Sequence, residues 1–163
     1  MSFLTSTEKY HHESIIPAGL TIEQIDTFQK NHDVLLTFDP DYRSHEEVKS
    51  KATDKSKTYK VTDTNTAPVG GETIELEITI TETADSQEWS IQAPFGLTQT
   101  SVWTIKEGGD TKPGEGTGRL WLVEDTTVKG NRLVVGKIQT KHVESWQGIH
   151  ERWIAALQKS ATA

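Results

Sequence analysis

The spacing of hydrophobic residues divides the chain into an opening strand, a short helical stretch, a long alternating stretch and a helical finish. "STEKYHHESII", residues 6–16, reads as the first strand, stopped by Pro17 and Gly19. "LTIEQIDTFQKNHDVLLTFDPD" then reads as helix. Ile22, Ile25 and Phe28 keep helical spacing, and Thr21 with Gln24 three residues on makes a capping box. Val34, Leu35 and Phe38 predict a second short helix after a break at Asn31–His32, where Asn31 or Asp33 serves as its cap. Pro40 ends it.

From residue 42 the period is two. Residues 42–58 are polar, and the pattern leaves open whether they form a regular strand. "TYKVTD" is a short strand, and "PVGG" a turn. In "ETIELEITITET" Ile74, Leu76, Ile78 and Ile80 face one way and Glu75, Glu77 and Thr79 the other, the mark of a half-buried antiparallel strand. "EWSIQA" places Trp89, Ile91 and Ala93 on one face. "TQTSVWTIKE" sets Trp103 and Ile105 against Val102 and Thr104. "GGDTKPGEGTG" is a loop and "RLWLVEDTTV" the last strand. "NRLVVGKIQTKHVESWQGIHERWIAALQK" closes the chain as one amphipathic helix. At about 100° per residue, Val135, Ile138, His142, Trp146, Ile149, Trp153 and Ala156 fall within roughly 40° of one line. Sheet and helix each carry one apolar face, and each needs the other to leave water. The expected class is α+β: a curved antiparallel sheet wrapped on a long C-terminal helix, with two short helices after the first strand, as a single domain over residues 1–163.

Composition narrows the partners. The chain has 163 residues, a net charge of −7, and 33% hydrophobic and 25% charged residues. No lysine–arginine cluster exceeds a dipeptide, so nucleic acid and anionic membrane surfaces are disfavoured. With no cysteine, disulfides, thiolate nucleophiles and cysteine-based metal sites are excluded. "MSFLTSTEKYHHES" shows no signal-peptide pattern, and no apolar run reaches membrane-span length, so a cytoplasmic location is expected.

The order of elements resembles the helix-grip fold of the START and birch-pollen-allergen (SRPBCC) superfamily. The stretch "GGETIELEITITETADSQEWSIQAPFGLTQTSVWTI", with "RLWLVEDTTVKGNRLVVGKIQTKHVESWQGIHERWIAAL", also resembles an uncharacterised fungal domain family of that type. The resemblance implies a cavity between sheet and helix for an apolar polyketide, terpenoid, sterol or lipid-like metabolite. In some relatives it also implies ring closure without a cofactor. No catalytic motif of a characterised relative matches here.

Candidate chemistry centres on "HVESWQGIHERW", residues 142–153. A helical metal pair needs ligands three or four residues apart. His142 and His150 are eight apart, and each is flanked at four by isoleucine and tryptophan, so no helix-borne metal site is expected. His142, at the centre of the stripe, is either a core histidine bonded to backbone or water, or a polar group in a cavity that orients or deprotonates a ligand. It is the candidate catalytic residue. His150, at the stripe's edge, is expected exposed or half-exposed. Of His11 and His12, an extended segment points at most one inward. "GEGTG" precedes a strand, not a helix, and reads as a hairpin turn rather than a phosphate loop. The large rings of Tyr59, Trp89, Trp103, Trp121, Trp146 and Trp153 are either core or, with His142, the walls of a ligand cavity. Two functions follow. One is a binding protein or cofactor-independent cyclase, condensing enzyme or isomerase for an apolar, cyclic metabolite. The other is a structural or interaction module with a filled core.

Overall fold

The computed structural model describes residues 4–65 and 71–163, so most of the "PVGG" turn lies outside the described residues. Strand β1 spans Thr5–Ile15. After it come helices α1, Ile22–Gln29, and α2, His32–Leu35, the latter running into a 3-10 turn at Leu36–Phe38. Strands β2 (Tyr42–Glu47), β3 (Ser56–Thr64), β4 (Thr73–Glu82), β5 (Ser86–Gln92), β6 (Thr98–Gly108) and β7 (Arg119–Asn131) lead to helix α3, Arg132–Ala161. The described strands pair antiparallel in one sheet, ordered β1-β7-β6-β5-β4-β3-β2. The sheet curves around α3, which is the helix-grip arrangement expected from the sequence. Because β1 and β2 are opposite edges, α1 and α2 carry the chain from one edge to the other.

Local chemistry sets the joints. Thr21 and Gln24 form both bonds of the capping box, with Thr21 N donating to Gln24 Oε1 at 2.9 Å and Gln24 N donating to Thr21 Oγ1 at 3.1 Å. Ile25 and Phe28 are buried as the spacing predicts, but Ile22 is 57% exposed because it begins the helix away from the sheet. Asn31 stands at the N-cap of α2 through its backbone carbonyl, without a side-chain bond. Residues 42–47, left open by the pattern, form a regular edge strand on β3 with a register shift between Tyr42 and Ser44. Such a polar strand suits an edge, where unpaired backbone and charged side chains meet water. In the β6–β7 connection, a Cβ on Gly108 would stand 2.5 Å from the Lys112 carbonyl oxygen, so this hairpin position requires glycine.

The core lies between the sheet and the C-terminal half of α3. Ile16, Ile25, Phe28, Leu122, Trp153 and Leu157 form its centre. Each such side chain contributes about 1.5–3 kcal/mol on leaving water. Along α3 the fully buried residues are Val135, His150, Trp153 and Leu157. At about 100° per residue they centre roughly 45° around the helix from the line drawn through His142. His150 and Leu157, not Ala156, therefore face the sheet, and the expected exposure of His150 is corrected: it is 1% exposed. The other flank of the stripe, with Ile138 and Ile149, packs at the core's edge and lines the space beside it. This explains why the apolar stripe is wider than the packed contact. No described helix is long and apolar enough to cross a membrane.

Candidate functional site

The space under α3 has two parts. A deep cavity of about 120 Å³ is walled by Trp89, Trp103, Trp153, Phe38 and the apolar rows of β3 and β4. Next to it an open cleft of about 1200 Å³ runs between the N-terminal half of α3 and the sheet. The two succeed one another along the inward-facing rows. Leu76 and Ile78 line the cavity and Ile74 the cleft; Ile91 lines the cavity and Ala93 the cleft. At the mouth, Phe95 is 77% exposed with φ of 64°, a strained backbone for a bulky residue, and Leu133 opposite is 81% exposed.

Alternation also brings polar groups into this space. Tyr59, Val61 and Asp63 share the inner face of β3, so Asp63 is buried to 4% exposure in the cavity wall. Its Oδ1 is buried with no hydrogen-bond partner. Burial foremost, then the negative charge of Asp39, raises the Asp63 carboxyl from 3.8 to about 6, and Lys141 only partly offsets this. Lys141 is already engaged, 2.6 Å from Asp41 Oδ2 and 3.6 Å from Asp39 Oδ1. Burial pulls its ammonium down, but the carboxylates of Asp39, Asp41 and Asp63 outweigh that and leave its pKa raised.

On β7 the inner row runs Leu120, Leu122, Glu124, Thr126, which puts Glu124 in the cavity wall at 6% exposure. His150 Nε2 lies 3.1 Å from Glu124 Oε1, and His150 Nδ1 lies 2.7 Å from Ser14 Oγ. A carboxylate only accepts, so Nε2–H donates to Glu124 and Nδ1 accepts from the Ser14 hydroxyl. Thr126 Oγ1 donates to the second Glu124 oxygen at 3.2 Å. Hydroxyl, imidazole and carboxylate stand in the order of a nucleophile triad, yet the geometry is reversed. Glu124 lines the cavity and Ser14 does not, so the chain presents a carboxylate rather than a nucleophile.

The remaining histidines serve other contacts. His12 points inward and His11 outward, the latter 2.6 Å from Asp125. His12 Nε2 and His142 Nε2 are 2.8 Å apart, so one ring donates and the other accepts. Trp146 stacks on His12 at 4.0 Å between centroids, and Tyr10 stacks on His142 at 4.2 Å. Burial foremost, then the neighbouring His142, lowers His12 from 6.5 to about 4, and burial lowers His142 as well. His32 is buried under β3 and β4, with Nδ1 2.9 Å from the Tyr59 hydroxyl and Nε2 3.1 Å from Glu82 Oε1.

Of the rings expected to wall a cavity, Trp89, Trp103 and Trp153 do so. Tyr59 is core, its hydroxyl tied to His32. Trp121 sits on the opposite face of β7 from Leu120 and Leu122 and donates to the Gly109 carbonyl. Trp146 and His142 sit on the turns of α3 before the cavity, stacked on His12 and Tyr10 of β1, and neither lines the cavity. Sequence reasoning missed Asp63, Glu124 and the burial of His150. The first two had a legible signal: a carboxylate at the apolar parity of a strand.

A curved sheet gripping a long helix around an internal cavity defines a helix-grip domain, and solved structures agree. The Zhui aromatase/cyclase from Streptomyces sp. R1128 is similar over 96% of this chain and 96% of its own, with a TM-score of 0.69 and 9% identity. Truncated norcoclaurine synthase from Thalictrum flavum matches over 96% of this chain and 97% of its own, at 0.62 and 10% identity. The protein TTHA0849 from Thermus thermophilus matches over 91% and 99%, at 0.58 and 19% identity. At such identities the likeness is one of fold. No curated protein matches the chain in sequence. The chain belongs to the DUF7053 family, a domain of unknown function, whose family model matches residues 5–159.

Proposed function

We propose that this protein binds an apolar, cyclic small molecule between the sheet and α3. The observation that carries the reading is the indole-walled cavity with the large cleft beside it. The cleft, at about 1200 Å³, exceeds the usual ligand-pocket range of about 300–1,000 Å³. The cavity adds about 120 Å³ of indole-walled space beside it, and a few polar groups converge on that otherwise apolar lining. A filled core, as an interaction module would have, does not account for that space. The helix-grip neighbours named as an aromatase/cyclase and as norcoclaurine synthase favour the same reading.

Within it, we propose cofactor-independent chemistry of cyclisation, condensation or isomerisation type. The shaped cavity positions the reacting atoms, Asp63 handles the proton and Glu124 supplies a fixed acceptor. A carboxyl raised to about 6 is poised to exchange a proton near neutral pH, whereas His142 faces β1. A place in fungal secondary metabolism rests on the sequence resemblance alone.

Native mass spectrometry of gently purified protein tests binding. A retained small molecule, or a thermal shift with members of a polyketide, terpenoid, sterol and lipid panel, is the expected result. Trp103→Ala is expected to weaken that shift and Trp121→Ala to leave it intact. Bare chain mass together with no shift across the panel overturns the reading. For the chemistry, Asp63→Asn is expected to lower turnover of any substrate found, and His142→Ala to leave it unchanged.

A further inference from the structure

The charged lining of the deep cavity has one sign, beside the neutral Gln87, Gln99 and Ser101. Asp39, Asp63 and Glu124 contribute carboxyls, while no described lysine, arginine or histidine lines it. Lys141, the cation that acts on Asp63, lies in the cleft wall and is committed to Asp41 and Asp39. Glu124 has hydrogen-bond donors on both oxygens, from His150 and Thr126. Asp63 is different: only 4% of it is exposed, and its Oδ1 has no partner. A buried carboxyl in this position lacks a donor on Oδ1 and, when ionised, has only the partial counter-charge of Lys141, which Asp39 and Asp41 share.

An occupant that repairs both deficits carries an N–H donor and a positive charge on an apolar body. A carboxylate ligand would add a like charge beside three acids. A neutral alcohol would supply the donor but not the charge. The walls suit a cation as well, because Trp89, Trp103 and Trp153 line the cavity and an indole ring attracts positive charge as well as apolar surface. The cleft leading inward carries Lys137, Lys141 and Arg152 against Asp41, Glu75 and Glu144, so it does not repel a cation. The chain as a whole carries −7.

Resting on the binding function proposed above, we infer that the occupant is a lipophilic amine bound as its cation. Asp63 receives the ammonium, and the indoles of the cavity enclose the apolar body.

The test uses three molecules with one ring system and different heads: 1-naphthylmethylamine, 1-naphthalenemethanol and 1-naphthoate. Isothermal titration calorimetry on the full chain is expected to rank the amine about ten-fold or more above the alcohol, the usual gap between a charge-assisted and a neutral hydrogen bond. The carboxylate is expected to be weakest. Asp63→Asn is expected to cost the amine that advantage and leave the alcohol within about two-fold. A second readout needs no variant. Near pH 6, where Asp63 is part-protonated, amine binding is expected to release a proton, seen as a binding enthalpy that depends on the buffer. An alcohol or carboxylate binding as tightly as the amine, an amine preference that survives Asp63→Asn, or no proton release overturns the amine assignment while leaving an apolar-ligand site intact. A neutral or acidic molecule retained in native mass spectrometry does the same. Failure of all three probes, with nothing retained and no shift in the wider panel, overturns both readings.

Discussion

Replacing Asp63 by asparagine should make this protein more stable, and the gain should depend on pH in a direction the structure fixes. Folding buries the carboxyl beside Asp39 and Asp41 and raises it from 3.8 to about 6, so the folded state holds the proton more tightly than the unfolded chain. A group raised in this way contributes its full stability below the unfolded value and loses it as pH rises toward the folded value. The shift is roughly two pH units, and at about 1.4 kcal/mol per unit the loss is about 3 kcal/mol once the carboxylate is fully ionised. Asparagine keeps the shape without the titration. The variant and the parent should therefore be nearly equal at about pH 4, diverge between about pH 4 and 6, and differ by a constant amount above about pH 7. For a chain of this length about 3 kcal/mol corresponds to roughly 6–12 °C in Tm. Urea unfolding of both proteins across this range measures the gap directly. A variant less stable than the parent at pH 7.5, or a gap that does not change with pH, refutes the account of Asp63 as a buried, poorly compensated acid.

Three further outcomes are expected. In NMR titrations of the histidine rings, His12 should titrate near 4 and His142 below 6.5; because folding lowers both, the stability they allow is lost as pH falls below 6.5, and a normal or raised value for His12 would refute the pairing. Tyr59→Phe removes the hydroxyl partner of buried His32 Nδ1 and should cost about 1–3 kcal/mol in urea unfolding, with no change in ligand response since Tyr59 does not line the cavity. Leu157→Ala, at a position with 0% exposure in the main core, should cost about 2–5 kcal/mol, whereas Leu133→Ala at the exposed cleft mouth should cost little.

Sequence by itself determined the elements and their order. Period-two alternation at Ile74–Ile80, the capping box at Thr21 and the long closing stripe are local signals, and local signals survive without knowledge of partners. They also required sheet and helix to pack, since neither could bury its apolar face alone. What only the tertiary structure decided was the rotation of α3 and the cross-strand company of each side chain. A stripe spanning about 80° can be turned by half its width without breaking any local rule. That turn brought His150 onto Glu124, while the fit of β1 against the helix set His142 beside Tyr10 and His12 and left Ile149 at the cavity wall. Likewise, Asp63 on a strand is an ordinary polar residue until β4, the residues after α2 and Lys141 close around it. Burial and charge compensation are properties of neighbours distant in the chain, so the acid lining of the cavity could be seen only after folding had assembled it.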